Sequence, residues 1–121
     1  MTLRSLTLST TFAIAALTGA CTSDSTTAAV PAAPSALTAT LLSGGAHLTW
    51  TDNSSNETQF MIMRMQVGGT ADYAAIATPT FNTVSYHDIP PTAGKTYMYM
   101  VMAMNDSGMS DPSNEVMIAI P

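Results

Sequence analysis

Ten of the 121 residues are methionine, and most of them fall in strings where every second residue is of another kind. Met61, Met63 and Met65 form one string, Met98, Met100, Met102 and Met104 a second, and Met117 follows near the C-terminus. A thioether is a neutral, soft donor that suits Cu(I) or Ag(I) better than harder divalent ions. It also makes an adaptable apolar contact for another protein or a second copy of the chain. Oxidation to sulfoxide is the third chemistry open to it. Other reactive groups are sparse. His47 and His87 supply two imidazoles, and two ligands leave a metal under-coordinated. The segment Asp52-Asn53-Ser54-Ser55-Asn56-Glu57 is rich in oxygen. It lacks the alternating acidic spacing of a calcium loop and reads as a turn held by its own Asx side chains. Gly44-Gly45 and Gly68-Gly69 lie between apolar runs, as hairpin turns rather than phosphate cradles. No nucleophile and base can be joined into a catalytic set from spacing, so a non-enzymatic chain without a cofactor is expected.

The lone cysteine, Cys21, closes an N-terminal stretch that begins with Arg4 and continues through the apolar run Phe12-Ala13-Ile14-Ala15-Ala16-Leu17. This is the layout of an export signal. Threonine and serine dilute it too much for a spanning helix, which needs about 20 predominantly apolar residues. Leu17-Thr18-Gly19-Ala20-Cys21 resembles the lipobox of bacterial lipoproteins, with Thr18 standing where that family commonly has Leu. The resemblance implies a signal peptide over residues 1–20, cleavage before Cys21, and a diacylglyceryl thioether on Cys21. Two or more acyl chains would hold the protein stably on a membrane, where one gives marginal binding. Thr22, where an Asp would signal inner-membrane retention, favours the outer membrane of the bacterial envelope.

Charge narrows the partners. Three basic residues stand against eight acidic ones, a formal net charge of −5. A nucleic-acid binder needs a basic patch, so nucleic acid is excluded, and so is electrostatic docking to anionic lipid. One cysteine rules out an internal disulfide framework and a multi-cysteine zinc site. The 46% apolar content is enough for a packed core. Residues 21–33, rich in Ser, Thr, Ala and Pro, read as the lipidated Cys and a flexible tether.

Over residues 34–121 the apolar residues recur with period two. Leu37 and Ala39, then Ala46, Leu48 and Trp50, then Phe60 and Ile62, then Tyr97, Tyr99, Val101 and Ala103, then Val116, Ile118 and Ile120 mark successive strands. Turn residues separate them: Ser43-Gly44-Gly45, Gly68-Gly69, Pro90 to Gly94, and Asn105-Asp106-Ser107-Gly108. Short strands at this spacing predict an all-β sandwich or barrel. Leu48-Thr49-Trp50, the run Tyr97 to Asn105 with Gly108 and Ser110, and Pro112-Ser113-Asn114-Glu115-Val116 are together similar to a bacterial fibronectin type III module.

That resemblance implies an immunoglobulin-like sandwich of seven strands in two sheets, A-B-E and C′-C-F-G. Trp50 would fill the core, and Tyr97 or Tyr99 would supply a tyrosine corner. Alternation then turns Met61, Met63, Met65, Met98, Met100, Met102, Met104 and Met117 outward on the C-F-G face. Arg64 falls on the inward register, and its guanidinium is expected to escape at the strand end. His47 and His87 face outward on strands B and E, as candidate cross-strand partners. The expectation is a lipid-anchored envelope protein whose domain binds a protein partner, binds itself, or acts as a spacer. Its alternative is a soft-metal protein using the methionine face. Such modules often accompany glycan-degrading enzymes, but the inward Trp50 leaves no stacking platform for sugar.

Overall fold

The computed structural model describes residues 29–90 and 92–121. The expected signal peptide, Cys21 and the tether up to residue 28 lie outside the described residues. Eight strands run in order: β1 (Ser35–Leu42), β2 (Gly45–Thr51), β3 (Gln59–Gln66), β4 (Ala74–Ala77), β5 (Ser85–Asp88), β6 (Thr96–Asn105), β7 (Gly108–Met109) and β8 (Val116–Ala119). They form a three-stranded sheet, β1-β2-β5, and a second sheet ordered β4-β3-β6 with both β7 and β8 on the far side of β6. Every pairing is antiparallel.

The core between the sheets is made by the alternate residues. Leu48, Phe60, Ile62, Tyr99, Val101 and Ala103 have no exposed surface, and Leu37, Trp50, Tyr97 and Ile120 are nearly as buried. Trp50 meets Phe60 edge-on, with ring centroids 5.6 Å apart, a favoured aromatic geometry. A two-residue turn joins β1 to β2. Both Ser43 and Gly44 have positive φ (48° and 78°), the left-handed pair that matches strand twist in a type I′ hairpin.

The expected single last strand is instead two, β7 and β8, and the reason is Pro112. A proline has no N–H to give a ladder, and residues 110–115 leave the strand path. This would orphan two amides of β6. Ser113 Oγ accepts the Val101 N–H at 3.0 Å and Ser110 Oγ accepts the Ala103 N–H at 2.9 Å. The Ser113 and Ser110 amides donate back to the same two residues. Asn114 finishes the repair from the other side, accepting from Leu37 N and donating to Leu37 O, and so ties β1 to the second sheet.

The domain begins earlier than residue 34. Pro31 is buried, and the Ala29 carbonyl accepts from the Asn56 and Asn105 side chains while Asn53 holds the Ala33 carbonyl. Residues 29–33, expected as tether, lie against the loops because Pro31 is buried and the Ala29 and Ala33 carbonyls meet three asparagine amides.

Candidate functional site

The β3–β6 ladder brings the two methionine strings into register. Met61 pairs with Met102, Met63 with Met100 and Met65 with Met98. Met98 also pairs with Met117 across β6 and β8. Residues directly opposite on an antiparallel pair share a face, so all eight expected methionines lie on one surface. Met109 joins them, paired with Met104. Sequence reasoning missed it because it follows the turn at Gly108 in a strand of two residues, too short to show a period. The seven methionines of β3 and β6 are half-buried, whereas Met109 and Met117 are exposed. Between Gln59 and Met65 and between Thr96 and Met104, the outward residues carry no charge. Most solvated sheet faces are polar. One thioether is already engaged, for Gln59 Nε2 donates to Met104 Sδ at 3.2 Å.

The edge of this face carries a phenol. Tyr73 directly precedes β4 on one side of the sheet, and Glu115 directly precedes β8 on the other. The Tyr73 hydroxyl is buried without a hydrogen bond in good geometry. Burial, and then the Glu115 carboxylate beside it, push its pKa up to about 12. To reach Glu115 from the β4 side, the Tyr73 side chain must lie across the intervening strands, over part of the methionine surface.

On the inner face of the same strands, Arg64 corrects the expectation. Its guanidinium does not escape at the strand end. Nη1 donates to Asp88 Oδ2 at 2.8 Å, and Tyr99 Oη donates to the same oxygen at 2.6 Å. The guanidinium also sits 5.4 Å from the centre of the Tyr97 ring. Asp88 ends β5 on the opposite sheet, so this cluster joins the two layers at one end of the core. Burial alone would lower the Arg64 pKa, but the Asp88 hydrogen bond and charge raise it. Burial, and then Asp88, push Tyr99 far above its ordinary range. A Cβ on Gly45 would strike the Asp88 carbonyl oxygen, so glycine there lets the β5 backbone approach. The tyrosine corner belongs to Tyr97, which donates to the Thr92 carbonyl at 3.2 Å.

His47 and His87 are direct cross-strand partners, with ring centroids 6.1 Å apart. The Nδ1 atoms of both are buried and unpartnered. Among the described residues no group of three or more His, Cys, Asp and Glu side chains is placed to hold a metal. The Asp52–Glu57 segment is the expected Asx turn: Asp52 Oδ1 accepts from the Ser54 amide at 3.0 Å, and Ser54 Oγ donates to Glu57 Oε2 at 2.7 Å. Burial would raise the Glu57 pKa, but this hydrogen bond, backbone donors and Asp52 together lower it. Trp50 is 5% exposed and offers no ring to a sugar.

No protein-family model matches the sequence, and no curated protein matches it either. Solved structures do. An Fn3-like protein from Clostridium thermocellum is 29% identical, with a TM-score of 0.61, covering 77% of this chain and 96% of that one. The FN1–FN3 domains of chicken CNTN1 are 17% identical, with a TM-score of 0.67, covering 76% of this chain and 33% of that one. A pectate lyase from Erwinia chrysanthemi, solved with tetragalacturonic acid, is 21% identical, with a TM-score of 0.61, and this chain spans 28% of its length. The fold is an immunoglobulin-like sandwich of the fibronectin type III kind.

Proposed function

We propose that this chain is a non-enzymatic lipoprotein of a bacterial envelope, exported on residues 1–20 and anchored through Cys21. Its fibronectin type III domain displays the methionine face as a contact for a protein partner or a second copy. The observation that supports a contact role is the uncharged ladder of paired methionines on β3 and β6. Unbranched thioethers adapt to a partner's shape at little cost in strain, and contiguous apolar patches commonly mark interaction sites. The lipobox-like end at Cys21 supports the anchor.

Two measurements test this. Cys21→Ala should abolish labelled palmitate incorporation and release the protein from the membrane fraction; a variant that stays with membranes overturns the anchor. Extracted from native envelopes in mild detergent, the wild-type chain should elute in a complex. Met100→Lys should dissolve that complex, and Thr40→Lys, exposed on the other sheet, should leave it intact. An identical elution of wild type and Met100→Lys overturns the contact. A second reading, a Cu(I) or Ag(I) protein, is favoured by a separate observation: the row of three thioethers at Met65, Met98 and Met117.

A further inference from the structure

One row of the methionine face differs from the others. Met65 is the partner of Met98, and Met98 of Met117, so three adjacent strands set three thioethers side by side on one surface. Elsewhere the rows hold two: Met61 with Met102, Met63 with Met100, Met104 with Met109. In the last of these Gln59 already occupies the Met104 sulfur. Directly opposed residues have Cβ atoms about 4.5–5.5 Å apart. Three rotatable bonds let each outer sulfur swing toward the central strand. The three sulfurs can therefore converge toward Met98 without backbone movement once the Tyr73 side chain, which starts level with Met65 and reaches Glu115, turns aside. The backbone ladder holds Met65 and Met98 in place, and Met117, 62% exposed, leaves the row open to an ion arriving from solvent.

We infer that this row is a site for one soft monovalent cation, Cu(I), with Ag(I) as its air-stable equivalent. The inference rests on the second reading above and is independent of the lipid anchor. Thioethers select Cu(I), whereas Mg(II), Ca(II) and Zn(II) draw on the carboxylate, imidazole or thiolate ligands that the row lacks. The excess of acidic over basic residues gives a field favourable to a cation. Binding exchanges water on the ion for sulfur. No electron is transferred and no proton is released, because a thioether carries none. Affinity should thus be flat with pH, unlike that of a site whose ligands must lose protons to bind.

The test is a titration of the full-length Cys21→Ser chain, whose missing thiol cannot compete for the ion, in detergent micelles with silver nitrate, its methionine methyls carbon-13 labelled. One equivalent should saturate shifts at Met65, Met98 and Met117, equally at pH 7.5 and pH 5.5. Met98→Leu keeps the apolar volume and should weaken Ag(I) binding at least about tenfold. Met117→Leu, at an exposed position that cannot unfold the domain, should weaken it too, while Met61→Leu should not. Saturating shifts confined to Met61, Met63, Met100 and Met102 would overturn the row and leave the soft-metal reading standing. Unmoved methyls at stoichiometric Ag(I) would overturn both. Unchanged affinity in both Met98→Leu and Met117→Leu would also overturn the row.

Discussion

Strands β3 and β6 present two faces from one backbone and one register, and the two faces follow different rules. Inward, Phe60, Ile62, Tyr99, Val101 and Ala103 are five residues of five different kinds, all without exposed surface. Outward, the alternate positions repeat a single side chain, methionine, at seven places. A close-packed interior needs unlike shapes that interdigitate. The outer surface has no such need, so packing shape does not account for its uniformity. At one end the inner face carries charge, Arg64 with Asp88, whereas the outward residues of both strands carry none.

The comparison can be broken most forcefully at adjacent residues. Phe60→Ala should cost about 3–5 kcal/mol through the cavity it leaves, and Met61→Ala, one residue on, about 1 kcal/mol. Urea denaturation measures both, and equal losses would erase the distinction between faces. Asp88→Ala should cost about 3 kcal/mol, since it strands the Arg64 guanidinium and the Tyr99 hydroxyl inside the sandwich. Met100→Thr should cost less than about 1 kcal/mol, because a β-branched residue suits an open strand face. At acid pH the Glu57 carboxylate separates from both faces. Its pKa is lowered from 4.5 in the folded state, so its stabilisation is complete above that value and is lost as pH falls through the lower, folded one. Glu57→Gln should flatten that part of the pH–stability curve. The smallest expected effect is spectroscopic. Glu115→Gln should bring the Tyr73 pKa down from about 12 without reaching the ordinary value, because burial remains; ultraviolet titration of the phenol reads it.

Much of this was legible from spacing. Period two assigned Leu48, Trp50, Phe60, Ile62, Tyr99 and Val101 to the core, and by the same step turned the methionines outward. The pairing of His47 with His87 followed from the expected neighbours. The seams were not legible. Arg64 and Asp88 are 24 residues apart and on different sheets, so neither residue's neighbours mark the pair. Ser110 and Ser113 look like ordinary turn residues until the β6 amides opposite Pro112 need acceptors. Ala29 to Ala33 read as tether, and only the asparagines at 53, 56 and 105, brought together by loops at one end, hold them.

The sequence by itself determined which side the residues of the longer strands β2, β3 and β6 occupy, because a pleated backbone alternates strictly and burial must match that alternation. His47 with His87 aside, tertiary structure decided which residues stand opposite one another. Register is a relation between strands far apart in the chain, and it made two strings of methionine into paired rows and one row of three. The same relation set a guanidinium against a carboxylate from the other sheet, where loss of water makes leaving either unpaired costly.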